Sequence, residues 1–152
     1  MLLVENEIYA KKQGVTLKYD SFLPERAENL PAIVLFHGGG WVSGDKTDMH
    51  EIGAYLLDNG FAAFCPQYRL APLFPYPAPI QDAREFIRFL RQNAGHFGIS
   101  PNAIGAFGNS AGGHLSAMVA LTDERTPENP EISSRVDSAV CVAPLTDLTS
   151  YR

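Results

Sequence analysis

The segment AFGNSAGGHLSAM, residues 106–118, places Ser110 inside Gly108-Asn109-Ser110-Ala111-Gly112. This is G-x-S-x-G, the spacing of a serine lifted onto a sharp strand-to-helix turn, and it has the context that turn requires, an apolar run before it and a helical run after it. The chemistry such a serine does is nucleophilic attack on a carbonyl. Small residues at 108 and 112 suit a strained bend where backbone segments crowd together. At the start of a helix, Ser110 would also stand among unpaired N–H groups that favour negative charge. A phosphate-binding glycine turn is the competing reading, but the G-x-G-x-x-G spacing and a P-loop lysine are missing.

A second glycine cluster, His37-Gly38-Gly39-Gly40-Trp41, follows an apolar run about 70 positions earlier. Glycines there let backbone N–H groups approach a substrate oxygen closely, and each donor aimed at developing charge is worth on the order of 3 kcal/mol in a transition state. Gly39 and Gly40, with the N–H of Ala111, are the expected oxyanion donors. His37, Gly38, Trp41, Gly108, Asn109 and Gly112 are expected to shape the two turns.

These turns need a scaffold. VTLKYDSFLP alternates as a strand; LPAIVLF is a continuous apolar run suited to a strand buried on both faces. MHEIGAYLLDNG sets Ile52, Tyr55 and Leu56 at helical spacing and stops at Gly60. FAAFCP is a further buried strand, and QYRLAPLFPYPAP, with four prolines, is a loop. From Pro79 the apolar residues Ile80, Ala83, Ile87, Leu90 and Ala94 mark an amphipathic helix ending before Gly95, with Arg84, Arg88 and Arg91 between them. ISPNAIGAFGNS, AGGHLSAMVAL and VDSAVCVAP add a strand, a helix and a strand. Strands alternating with helices predict an α/β fold, a mostly parallel sheet with helices on both faces, forming a single domain over residues 1–152.

Composition narrows the partners. The chain of 152 residues is 45% hydrophobic with a net charge of −5, which argues against nucleic acid. No apolar run reaches the ~18 residues of a membrane helix, and MLLVENEIYAKK does not fit a signal peptide, so neither a membrane partner nor export is expected and a cytoplasmic location is. Cys65 and Cys141 sit in apolar runs as small buried hydrophobes, and no Cys or His spacing suggests a metal site.

Taken together, HGGGW, YRLAP and GNSAGG, in this order, resemble α/β-hydrolase serine esterases of the hormone-sensitive-lipase type. They are more closely similar to the bacterial acetyl (xylan) and feruloyl esterase-like group, and VSGDK, FPYPAPIQDA and HFGISPNAIGAFG extend the resemblance over nearly the whole chain. It implies Ser110 as nucleophile, Gly39, Gly40 and Ala111 as oxyanion hole, and Tyr68, Arg69 and Pro72 as a structural loop below the site. It also implies no cofactor, no metal, and a small-molecule or carbohydrate ester as substrate, short acyl groups first and aryl esters next.

In that fold the triad runs Ser, then Asp or Glu, then His along the chain. His37, His50 and His96 precede Ser110: His37 is expected to bond within its own loop, His50 and His96 to lie at helix ends on the surface. His114 and Asp147 are the only candidates within the chain for base and acid. The expectation is that both groups lie outside it, and that the chain is the N-terminal portion of an esterase, ending after about the sixth family strand and nearly inactive alone. The strand around Ala139–Val142 would then be an open edge, which invites association. The alternatives are a non-catalytic module that associates through this edge and an amide hydrolase on the same scaffold.

Overall fold

The computed structural model describes residues 2–149. Six strands form one sheet in the order β1-β2-β4-β3-β5-β6. They are β1 (Leu2–Lys12), β2 (Val15–Leu23), β3 (Leu30–Phe36), β4 (Ala62–Pro66), β5 (Ile99–Asn109) and β6 (Ser138–Val142). The four central and distal strands β4, β3, β5 and β6 run parallel, and β2 and β1 are added antiparallel. The helices are α1 (His50–Asp58), α2 (Ala78–Gln92), α3 (Ala94–Phe97) and α4 (Ala111–Leu121).

Alternation along the inner strands explains both cores. Ala32, Val34 and Phe36 of β3 and Ala62 and Phe64 of β4 pack with Ile80, Phe86 and Leu90 of α2, Phe97 of α3 and Leu115 of α4. Their neighbours Leu35, Ala63 and Cys65 point the other way, toward Phe22, Met49, Ile52 and Leu56. A strand with helices on both faces has no polar side to show, hence the unbroken apolar runs.

Several details differ from the sequence reading. β1 exists where no element was expected, because seven of its eleven residues are exposed and the strand carries no burial pattern. The long amphipathic helix ends at Gln92, not before Gly95; Gly95 lies inside α3, and the stop is Gly98, in the left-handed region at φ 66°. Tyr55 is 67% exposed instead of packing with Ile52 and Leu56. Cys65 is buried as expected, but Cys141 is only half-buried. The two thiols sit on β4 and β6 with β3 and β5 between them, and both are free.

Candidate active site

β3 and β5 are adjacent and parallel, with Phe36 opposite Gly108, so the segments that leave them emerge side by side at the same end of the sheet. From β5 the chain turns at once into α4 through Ser110, which sits at φ 52° and ψ −118°. A non-glycine residue there is strained by about 1–3 kcal/mol, and the surroundings must hold it. They do so by backbone: the Ser110 N–H donates to Val142 O at 2.9 Å, and the His114 N–H returns to Ser110 O at 3.0 Å.

The glycines of the bend are where the two turns touch. A Cβ on Gly112 would run into Phe36 O and His37 O, and one on Gly108 would lie 2.8 Å from Phe36 O. A Cβ on Gly38 would stand 2.9 Å from Asn109 Nδ2 and 3.1 Å from Asn109 O. The 38–40 turn is therefore packed directly against the Ser110 bend. Gly39, Gly40 and Trp41 all have positive φ, at 118°, 60° and 60°. The turn closes by Val42 N and Ser43 N donating to Gly39 O at 3.1 and 3.0 Å. Among the described residues, the N–H groups of Gly39, Gly40 and Ala111 donate to no protein acceptor. Unpaired amide donors from two turns beside one strained serine are an arrangement able to hold an oxyanion.

The support beneath the turn is polar and buried. The His37 ring bonds through Nδ1 with Gly38 O at 2.7 Å and stacks on Tyr68 at 4.4 Å, and the Tyr68 hydroxyl donates to His37 O at 2.8 Å. Burial lowers the His37 pKa, which keeps the ring neutral and structural. Arg69 locks the proline-rich loop: its Nε donates to Asp82 Oδ2 at 2.8 Å and its Nη2 to Asp82 Oδ1 at 2.7 Å, all buried at the first turns of α2.

A second network escaped the sequence reading. Asp20, fully buried on β2, accepts from Lys46 Nζ at 2.7 Å and from the Asn6 N–H at 2.8 Å, and bonds His50 Nε2 at 2.7 Å. Burial opposes its ionisation, yet the bonds from Lys46, Asn6 and His50 outweigh that and lower its pKa. His50 lies at a helix end as expected, the first residue of α1, but it is half-buried and bonded to Asp20, whereas His96 is exposed. Glu5, Asp20 and His50 bring three possible ligand atoms within 4.8 Å of one another, but the cation beside Asp20 is the ammonium of Lys46. The sequence offers little signal for it, since Asp20 falls on the polar side of the alternation in VTLKYDSFL together with Thr16 and Lys18.

The two candidate triad partners behave differently. His114, on α4, meets the Trp41 ring edge-on at 5.2 Å; its Nδ1 is buried without a hydrogen-bond partner, and burial lowers its pKa. Among the described residues its ring bonds neither the Ser110 hydroxyl nor a carboxylate. Asp147 is exposed and accepts from the Thr149 N–H at 2.9 Å and hydroxyl at 2.6 Å, a turn-capping role with no histidine beside it.

A strained serine at the end of a central parallel strand, facing a glycine turn at the end of the next and flanked by helices on both faces, defines an α/β-hydrolase. Within that class the chain belongs to the BD-FAE family, whose model matches residues 19–152. It is similar to carboxylesterase NlhH of Mycobacterium tuberculosis, 40% identical over 103 residues, 64% of this chain and 31% of that protein. Versiconal hemiacetal acetate esterase of Dothistroma septosporum is 29% identical over 118 residues, 77% of this chain and 35% of its own. Among solved structures, the apo form of Thermogutta terrifontis esterase 2 superposes with a TM-score of 0.88 at 33% identity, covering 97% of this chain and 58% of that one. The butyrate-bound form of a thermophilic esterase from that species gives 0.88 at 32%, covering 97% and 55%. The chain spans about a third of the length of the curated relatives it matches. No helix among the described residues is long and apolar enough to cross a membrane.

Proposed function

We propose that this chain carries the nucleophile and oxyanion hole of a carboxylic ester hydrolase. Ser110 Oγ attacks the ester carbonyl, the alcohol leaves with the serine's proton, and water then releases the acid from the acyl-serine. The N–H groups of Gly39, Gly40 and Ala111 stabilise the oxyanion in both steps. The observation that carries the reading is the contact of the Gly38–Gly40 turn with the strained Ser110 bend. Short acyl groups are the substrates it favours. The acetate ester in one relative's name and the butyrate bound to one structural neighbour support that choice.

Base and acid are supplied by neither His114 nor Asp147, since neither is hydrogen-bonded into a serine–imidazole–carboxylate chain. The 152-residue chain therefore acylates slowly and releases more slowly still, retaining only the hole's residual acceleration, ~10³–10⁴ over water. Incubation with an activated acetyl ester, followed by peptide mass spectrometry, tests this. An acetyl adduct on Ser110, absent from Ser110→Ala and with turnover near background, is the expected result. An adduct elsewhere ends the nucleophile reading, and brisk turnover lost in Ser110→Ala moves the base to His114.

One further observation favours a second reading, a module that associates through its sheet edge: β6 has no neighbour on its outer side among the described residues. Failure of Ser110 to acylate, together with a stable dimer in solution, would favour it.

A further inference from the structure

On the His37 side of the glycine turn lies a cavity of about 370 Å³, whose walls include Leu70, Leu73, Phe74, His37, Asp45 and Gln67. Gly39, Gly40 and Ser110 take no part in them. The His37 residue is only 2% exposed, and its ring lines this space. Its Nδ1 lies 2.7 Å from Gly38 O, a carbonyl that can only accept, so Nδ1 carries the ring proton and Nε2 a lone pair. Among the described residues no group donates to Nε2, and the atom is not sealed within the fold: it opens on the cavity that the ring lines. A buried acceptor left open in this way calls for a donor from outside the fold.

The charges around the cavity favour a cation. Arg69 also lines it, but Asp82 takes up its guanidinium at 2.7–3.1 Å. The neighbouring Lys46 ammonium is matched by Asp20. Asp45 forms no ion pair among the described residues; it accepts from the Thr47 N–H at 3.0 Å and the Gln67 amide at 3.3 Å. Burial opposes its ionisation, yet those bonds outweigh that and lower its pKa. One carboxylate thus remains without a counter-charge. Burial lowers the His37 pKa against the Gly38 bond and the fields of Asp48 and Asp45, so the ring itself does not supply that charge.

We propose that this cavity binds a primary ammonium ion carrying one ring or a short alkyl group, the ammonium donating to His37 Nε2 beside the Asp45 carboxylate and the apolar part resting on Leu70, Leu73 and Phe74. Size follows from the volume: an apolar cavity of ~150 Å³ admits benzene, so this one has room for a ring, a short link and the ammonium.

The site reaches the oxyanion turn through one peptide unit. Gly38 O and the Gly39 N–H are the two ends of the same trans peptide and point in opposite directions. The bond from Nδ1 to Gly38 O therefore fixes where the Gly39 N–H points. A donor on Nε2 polarises the ring and strengthens that bond. His37 is thus a positioning residue, and an occupied cavity firms the Gly39 donor. This coupling rests on the reading of Gly39 as an oxyanion donor beside Ser110; binding of the ammonium does not.

Calorimetry on the full chain with phenethylammonium chloride and with phenethyl alcohol, at matched salt near neutral pH, tests the binding. Saturable binding of the ammonium at least about tenfold tighter than that of the alcohol is expected, since the alcohol brings no charge to Asp45. Asp45→Asn can still accept the Thr47 N–H as a cap, and it reduces the ammonium to the alcohol's affinity with circular dichroism unchanged. Nitrogen NMR on the parent chain is the second readout: at saturation the His37 Nε2 resonance moves as an acceptor taking up a hydrogen bond, and the Gly39 amide moves with it. Equal affinity for ammonium and alcohol, unchanged binding in Asp45→Asn, or saturation with the Nε2 resonance unmoved overturns the site and leaves water as the donor to Nε2. A moved Nε2 with the Gly39 amide unmoved overturns the coupling. These readouts involve no ester chemistry, so they fail separately from the acylation of Ser110.

Discussion

At the scale of residues, the site depends on backbone approach. The Gly112 hydrogen faces Phe36 O and His37 O, so Gly112→Ala must push the first turn of α4 away from the end of β3, where the glycine turn begins. That overpacking is expected to cost about 1–3 kcal/mol. Gly95 is the opposite case, inside α3 with nothing within 4 Å of its would-be Cβ and no positive φ. Gly95→Ala is expected to stabilise by about 0.4–1 kcal/mol, because alanine leaves the unfolded chain less freedom to lose. Urea midpoints of both variants check the pair, and a Gly112→Ala midpoint equal to the parent's would show that α4 does not press on the end of β3. The same comparison explains what was legible. G-x-S-x-G and HGGG announce close approach through residue type alone, so both turns were found. Gly95 carries no such demand, and its identity suggested a helix end that Gly98 in fact provides.

At the scale of elements, Asp20 ties three together: β2 by its own backbone, the 3-10 turn Lys46–Met49 by Lys46, and α1 by its first residue, His50. The 3-10 turn continues from Gly44, where a Cβ would meet Gly38 O, so this ion pair also steadies the glycine turn from behind. Asp20→Asn leaves the Lys46 ammonium buried without a counter-charge, at a cost of about 3–5 kcal/mol near neutral pH. The sign with pH follows from the lowered carboxyl pKa. Between the folded value and the ordinary ~3.9, the unfolded chain binds more protons than the folded one. The stabilisation is therefore complete above about pH 4 and is lost as pH falls through the folded value. Asp20→Asn should lower the neutral midpoint and flatten that acid limb in urea titrations; an acid limb as steep as the parent's would remove Asp20 from the account. Pattern reasoning passed over this network because alternation in VTLKYDSFL assigns Lys18 and Asp20 to one polar face. From Tyr19 onward β2 lies between β1 and β4 with both faces covered, and a carboxylate is tolerated there only with its cation beside it. β1 was illegible for the reverse reason: an edge strand made by its register with β2, not by a buried face of its own.

At the scale of the whole molecule, the two sheet edges are unlike. β1 is interrupted by register shifts between Val4 and Glu7 and between Ile8 and Ala10, and it carries Glu5, Glu7, Lys11 and Lys12. Bulges and charges of this kind discourage another strand from pairing. β6 is regular, uncharged and apolar, Ser138-Ala139-Val140-Cys141-Val142, with Val140 57% and Val142 45% exposed. Its pairing with Gly105–Asn109 on one side leaves the other side's backbone groups without a strand among the described residues. The edge lies beside the candidate site, since Val142 O accepts from the Ser110 N–H, so whatever pairs with β6 also bears on the strained bend. We expect the isolated chain to associate in a concentration-dependent way through β6, measured by sedimentation velocity. Val140→Lys, which puts a charge on that flat edge, should shift the distribution toward monomer with circular dichroism unchanged. A parent chain that stays monomeric at high concentration would show that β6 is too short, at five residues, to recruit a partner, and that the open edge has no part in assembly.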